Sequence, residues 1–125
     1  MTQFASIPRA SANPLERFKG AELTTVMVWK FGVKLSFDDE PCTITIENNV
    51  EFASRGQTES YNQGVIVSFG AHVVSLIGCH IIDLQIAENK TLALNFDDGS
   101  ILTVRPDMSG YESYQVSSPD GMLIG

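Results

Sequence analysis

Residues 81–104, IIDLQIAENKTLALNFDDGSILTV, alternate apolar and polar side chains through three runs separated by two turn signals. Ile82, Leu84 and Ile86 recur at every second position, as do Leu92, Leu94 and Phe96, and Leu102 with Val104. Successive side chains of a strand point to opposite faces, so each run can bury one face. Glu88-Asn89-Lys90 and Asp97-Asp98-Gly99 separate the runs. Asn and Asp tolerate the left-handed backbone and Gly accepts it without steric cost, so both breaks read as tight hairpin connections. The stretch is therefore a three-stranded meander whose apolar face has to be covered by another element.

The candidate cover lies immediately upstream. Val65, Phe69, Val73, Leu76 and Ile77 fall on one helical stripe, Ser68, Ala71 and Ser75 take the thinner face, and Gly78 is placed to end the helix. The pattern predicts one principal helix over about residues 65–77, packed across the sheet, with His72 on a helix assigned to the core; the β-branched VIVSF at 65–69 also fits a strand. Residues 60–82 lack Asp, Glu, Lys and Arg, yet their glycines, histidines and polar SYNQ start make a poor membrane span.

Earlier in the chain, residues 1–20 hold Pro8 and Pro14 among small polar residues and read as a loosely attached arm, leaving residues 21–125 as a single β-rich domain. LTTVMVWK from Leu23 and VKLSF at 33–37 read as strands. Asp38-Asp39-Glu40-Pro41 makes a turn, and CTITIEN then places Cys42, Ile44 and Ile46 on one face. VKLSFDDEPCTITI and LALNFDDGSILTV share their order of apolar, Phe, Asp-Asp and strand residues, which suggests a repeated hairpin within one sheet or half-barrel. VEFAS reads as a short strand and RGQTESYNQG as an exposed loop. In the tail, YESYQV turns Tyr114 and Val116 inward, and Pro119-Asp120-Gly121 is a turn before MLI. The expected fold is α+β: a β-rich, mostly antiparallel sheet or half-barrel of six to eight strands with one principal helix.

Charge narrows the class of partner. The net charge is −7 with a sequence pI near 4.6, and thirteen of the fifteen acids follow residue 37. Holding nucleic acid through its phosphates needs clustered Lys and Arg, so a nucleic-acid binder is not expected, and the sign points to a basic partner. The N-terminal MTQFASIPRASANPLERFKG has no apolar core of a secretory signal, so the expected compartment is the reducing cytoplasm, with Cys42 and Cys79 as free thiols.

The chain carries no phosphate loop, dinucleotide fingerprint, HExxH helix or GxSxG elbow. Adjacent Cys79 and His80 with His72 do not have metal-ligand spacing, so neither a metal nor a cofactor is expected. Ser68 or Ser75 with His72 and Asp83 supplies triad residue types without the strained turn that activates a serine. Asp38-Asp39 and Asp97-Asp98 match a general acid and base in type, but in hairpin turns such pairs serve backbone geometry and solubility. Tyr111, Glu112 and Tyr114 read either as a contact strip or as core anchors with wet hydroxyls. A binding protein rather than an enzyme is the expectation.

Leu92, Leu94, Phe96, Asp98-Gly99, Leu102, Val104, Pro106-Asp107, Tyr111-Glu112, Tyr114, Val116, Pro119 and Gly121 together resemble the LxLxFxDGxxLxVxPD…YExW…PxG signature of a family of small bacterial proteins. Such proteins are often encoded beside secreted polymorphic or contact-dependent toxins and are candidate immunity proteins. Tyr114 stands where that family often has Trp. The resemblance implies a cytoplasmic protein that neutralises a cognate toxin, a nuclease by the charge argument, through stoichiometric binding. An acidic face would oppose a basic nucleic-acid cleft and speed encounter. The acids expected to meet the partner are Asp38, Asp39, Glu40, Asp97 and Asp98, followed by Asp107 and Glu112. The alternative is a small-ligand-binding or assembly module of β-rich fold with no toxin partner.

Overall fold

The computed structural model describes residues 14–37, 42–107, 112–119 and 121–125. After a 3-10 turn at Pro14–Phe18 come β1 (Leu23–Trp29), β2 (Gly32–Phe37), β3 (Thr43–Ile46), β4 (Val50–Ser54) and β5 (Gln57–Tyr61). Helix α1 (Ile66–Val73) follows, flanked by 3-10 turns at Gln63–Val65 and Val74–Leu76. Then come β6 (Ile81–Ile86), β7 (Leu92–Phe96), β8 (Ile101–Val104), β9 (Tyr114–Ser118) and β10 (Gly121–Ile124). All pairings are antiparallel, in two five-stranded sheets of order β1-β2-β3-β9-β10 and β5-β4-β8-β7-β6.

The β-rich α+β reading with one principal helix holds, but among the described residues the strands number ten in two sheets rather than six to eight in one sheet or half-barrel. Part of the difference is β5, in the segment expected to be a loop. Arg55 and Gly56 both take positive φ, 53° and 80°, and close a two-residue hairpin turn that returns Gln57–Tyr61 along β4. The strand escapes pattern reading because Tyr61 is its only buried side chain.

The two similar hairpins, β2-β3 and β7-β8, lie at the centres of different sheets, not of one. Their likeness extends along the whole chain. Each half is a meander, β1-β2-β3 or β6-β7-β8, followed by a hairpin, β4-β5 or β9-β10, and each hairpin adds to the meander of the other half. The details repeat as well. Both first strands carry a register shift after their first residue, between Leu23 and Thr25 and between Ile81 and Asp83. Such a bulge reverses the alternation, which is why Ile81 is buried and Ile82, expected inward, is 63% exposed. Tyr114 and Val116 of β9 face Ile46 and Ile44 as Val50 and Phe52 of β4 face Val104 and Leu102.

The two halves meet at a backbone bridge, Glu22 with His80, whose hydrogen bonds come in matching pairs. Leu23 N–H donates to Cys79 O at 2.9 Å and Ile81 N–H to Ala21 O at 3.0 Å; Gly20 N–H donates to Ile81 O at 2.7 Å and Gly78 N–H to Leu23 O at 2.8 Å. Gly20 and Gly78 sit at φ of 83° and 97°, which an L side chain rarely adopts, and each follows a 3-10 turn closed by a buried residue, Phe18 or Leu76. Of the expected arm, residues 1–13 lie outside the described residues. Phe18 packs edge-on against Phe37, with ring centroids 5.4 Å apart.

The apolar faces of both sheets share one core, from Leu35, Ile44 and Val116 to Leu92, Leu94 and Leu102. Helix α1 packs on β1 and β2 and reaches β5, rather than covering the β6-β7-β8 meander as expected, because the other sheet meets that meander's apolar face in the shared core. It buries Ile66, Phe69, Gly70 and Val73, followed by Leu76 in the next turn, whereas Val65 and Ile77, expected inward, are about half exposed. The stripe is turned because the 3-10 turns at both ends wind the chain more tightly than an α-helix does. A Cβ on Gly70 would lie 2.6 Å from Val28 Cγ2, so the helix approaches β1 closely through a residue without a side chain. Phe96, 1% exposed, ends β7 opposite Ile81 and next to the β7-β8 turn. Phe96→Ala is expected to lower unfolding free energy by about 3–5 kcal/mol, measured by chemical denaturation; a loss under about 1 kcal/mol would contradict this placement.

Candidate functional site

A cleft of about 540 Å³ lies between β4-β5, the exposed side of α1 and the β7-β8 turn. Phe52 and Ala71 line it together with Ser54, Arg55, Gln57, Glu59, His72, Ser75 and Asp98. Its walls come from three segments far apart in sequence. In β5, Glu59 lies opposite buried Phe52 of β4, so its carboxylate occupies the inward side of the strand. The matching position of the other half is Leu123, opposite buried Val116, and there an apolar side chain packs on the core. The cleft is thus a place where the two halves differ: one closes with leucine, the other opens onto a carboxylate.

A directed hydrogen-bond chain runs along the cleft wall. Tyr61 Oη donates to Glu59 Oε1 at 2.6 Å and also contacts His72 Nδ1, which lies 3.3 Å from the same carboxylate oxygen. A phenol has one proton. With that proton on Glu59, the Tyr61 oxygen accepts from His72 Nδ1–H, and the neutral ring presents Nε2 as an acceptor. Burial first, then the hydrogen bond to Glu59 and its negative charge, push the Tyr61 hydroxyl from an ordinary 10.0 up to about 12. On the opposite wall Asp98 caps its own turn: Ser100 N–H donates to Oδ1 at 2.8 Å and Ser100 Oγ to Oδ2 at 3.0 Å. Ser54 Oγ pairs with Ser100 Oγ at 3.2 Å. A smaller cleft of about 340 Å³ lies at the other end of β5, beside the Arg105 Nη1 to Glu51 Oε2 ion pair at 2.7 Å.

The acids singled out from the sequence fall into separate roles. Asp97 is exposed but tied to His80: the His80 N–H donates to Oδ1 at 3.1 Å, His80 Nδ1 lies 3.2 Å from Oδ2, and Asp97 N–H donates to His80 O at 2.9 Å. The backbone bond from His80, with its side-chain bond and charge, holds the Asp97 carboxyl below the usual range against some desolvation. Asp107 accepts from Asn48 Nδ2 at 2.9 Å, and Glu112 is exposed. Asp38, Asp39 and Glu40 lie outside the described residues, as does Tyr111. The strand end before Asp38 is described: Phe37 pairs with Leu23 and Phe96 with Ile81, so β2 and β7 both end beside the same bridge.

His72, read as a structural histidine on a helix assigned to the core, sits on the exposed side of α1, outside the buried stripe of Phe69 and Val73. The triad residue types are not brought together: Ser75 Oγ donates to His72 O at 2.9 Å, and Asp83 accepts from Gln85 on β6, at the opposite sheet edge from β5. Cys42 and Cys79 are not joined in a disulfide. Burial, then the nearby carboxylates of Asp98 and Asp97, push the Cys79 thiol up, which keeps it protonated and a weak nucleophile. Tyr114 is a core anchor whose hydroxyl donates to Lys90 O at 2.8 Å. Among the described residues no group of three or more His, Cys, Asp or Glu side chains is placed to hold a metal ion, and no helix is long and apolar enough to cross a membrane.

Sequence reading missed Glu59 altogether, since the segment that carries it reads as a loop. The one local signal was Arg55-Gly56, a turn pair that permits a hairpin. The raised Tyr61 hydroxyl makes the chain of bonds testable. Its folded value lies above the unfolded one, so its contribution to stability is fully present below pH about 10 and lost as pH rises through about 12. Ultraviolet titration should show a tyrosine ionising near 12 that disappears in Tyr61→Phe; ionisation of Tyr61 near 10 would contradict both its burial and its bond to Glu59.

No curated protein and no solved structure matches the chain. One family does, over residues 14–125, which take in both sheets, the helix and the cleft, and the chain belongs to it: the family of unknown function DUF6188.

Proposed function

We propose that this protein is a cytoplasmic immunity protein that neutralises a basic toxin domain, of nuclease type, by stoichiometric binding. The observation that carries this reading is the charge distribution: thirteen of fifteen acids follow residue 37 in a chain of net charge −7. A nuclease grips phosphates with a basic surface, and an acidic binder is drawn to that surface and covers it. Two features of the fold support it. The strands that lead into Asp38-Asp39-Glu40 and Asp97-Asp98 end beside one bridge, and Asp98 with Glu59 gives the cleft two carboxylates. Asp97 and Asp98 are also held by local hydrogen bonds, which fixes their charges in place without long flexible stems.

The cleft favours a second reading, in which the protein holds a small ligand and has no toxin partner. Its volume lies within the range of about 300–1,000 Å³ typical of small-molecule sites.

Co-expression separates the two. The C-terminal domain encoded by a neighbouring toxin gene should arrest growth alone and be silenced by this protein. Asp39→Lys with Glu112→Lys spares the described hydrogen bonds of Asp97, Asp98 and Asp107. This double variant should slow association with the purified domain about three- to tenfold at low salt and flatten its salt dependence, leaving dissociation little changed. Absence of rescue, together with absence of binding to the purified domain, would overturn the reading.

A further inference from the structure

Resting on the reading of a binder of basic partners, we propose that the cleft between β5 and α1 is a receptor for one guanidinium or ammonium group, carried by a lysine or arginine side chain of the partner. The first argument is the difference between the halves. At the inward position opposite Phe52, where the twin hairpin puts Leu123 on the core, the chain has Glu59. An apolar side chain there would close the gap between strand and helix, as one does on the other side. A carboxylate at that position keeps the gap open and charged.

The second argument is the direction of the hydrogen bonds. The proton of Tyr61 is spent on Glu59 Oε1, and His72 Nδ1 is turned to Tyr61. Both partners engage Oε1, which leaves Glu59 Oε2, and in the neutral ring with its proton on Nδ1 also His72 Nε2, as acceptors on the same wall. Asp98 faces them from the β7-β8 turn, with its two oxygens oriented by Ser100. The charged and titratable groups lining the cleft are therefore Glu59 from β5, Asp98 from the β7-β8 turn, His72 from α1 and Arg55 from the β4-β5 turn. Acceptors dominate this set. The complementary ligand group is one with several N–H donors and a positive charge, and guanidinium and ammonium both fit.

The third argument is the floor. Phe52 and Ala71 offer apolar surface beneath the carboxylates, which suits the methylene stem of a long basic side chain whose head reaches polar groups. Arg55, at the β4-β5 turn, is the one cationic side chain among the cleft's described lining residues, against the carboxylates of Glu59 and Asp98.

The test uses the full chain and agmatine, a free guanidinium on a four-carbon stem. His72 and His80 are the only histidines, so their ring protons can be assigned by His72→Gln and His80→Gln and followed by NMR at constant ionic strength. Agmatine should shift the His72 signals saturably, with half-saturation below about 20 mM, and leave His80 unmoved; acetate should move neither. Glu59→Leu, which copies the twin half, should keep the thermal transition and abolish the shift. A His72 shift that fails to saturate, or that survives in Glu59→Leu with full amplitude, would overturn the proposal.

A second arm identifies the source of the group. Weakening of the toxin-domain complex by about tenfold or more in Glu59→Leu supports a side chain of the partner. Unchanged neutralisation by Glu59→Leu, with agmatine binding lost, overturns the assignment to the partner while leaving neutralisation itself intact. Saturable agmatine binding together with no toxin partner would sink the neutralisation reading and assign the cleft to a free amine or guanidine.

Discussion

Four backbone hydrogen bonds between residues 20–23 and 78–81 join the two halves of this fold. Each half contains a meander whose apolar face it cannot cover alone, and each lends a hairpin to the other half's sheet. The bridge brings the starts of β1 and β6 together, and from there the strands diverge into separate sheets. Gly20 and Gly78 make the close approach possible, since both need a left-handed backbone that a side chain would strain. Phe18, Leu23, Leu76 and Ile81 are buried around the junction, so the same segment that pairs the backbones also seals the core. The contacts that hold the sheets together are thus largely non-local, and neither half is expected to be complete without its exchanged hairpin.

Against this near-symmetry, the cleft stands out because it breaks the pattern. Burial along β2 and β7 agrees position by position from Val33 and Leu92 onward, and β4 and β9 agree throughout. The outer hairpin strands do not. β10 turns Leu123 towards the core, while β5 turns Glu59 to a cleft that α1 borders. An inward carboxylate at a strand edge adds little to stability, because its bonds to Tyr61 and His72 replace bonds to water. Its presence is better explained by recognition than by packing, which connects the fold to the proposed binding of a cationic group. The bound state would replace water around Glu59 and Asp98 with N–H donors, and the rigid floor of Phe52 limits the ordering cost of binding.

How far the sequence alone carried this account varied with the physics of each segment. Strands whose alternation is anchored by large side chains were legible, among them β2, β3, β7, β8 and β9, and so were the repeat, the helix and the inward Tyr114 and Val116. Where one local irregularity changed the outcome, periodicity pointed the wrong way: the bulge after Ile81 sends Ile82 outward, and the 3-10 turns rotate the helix so that Ile66 is buried and Val65 is not. β5 has too few apolar residues to register as a strand, although its backbone pairing is complete. The repeat was visible, but not the exchange of hairpins, because pairing within one half and pairing across halves bury the same faces. The cleft was beyond reach for a related reason: Glu59, His72 and Asp98 meet only after the exchange has put β4-β5 beside β8 and α1 against β5. The acids that composition did bring forward, Asp97 and Asp98, turned out to be anchored in their own turn, with Asp98 alone facing the cleft.

The bridge is the claim on which the exchanged architecture depends, and native-state hydrogen exchange tests it directly. The amides of Gly20, Leu23, Gly78 and Ile81 are each donors across it. Their protection should match that of Leu35 and Leu94 at the sheet centres and disappear only with global unfolding. Exchange of these four amides more than about a hundredfold faster than the sheet centres would show halves that separate within the folded protein, and would contradict the account.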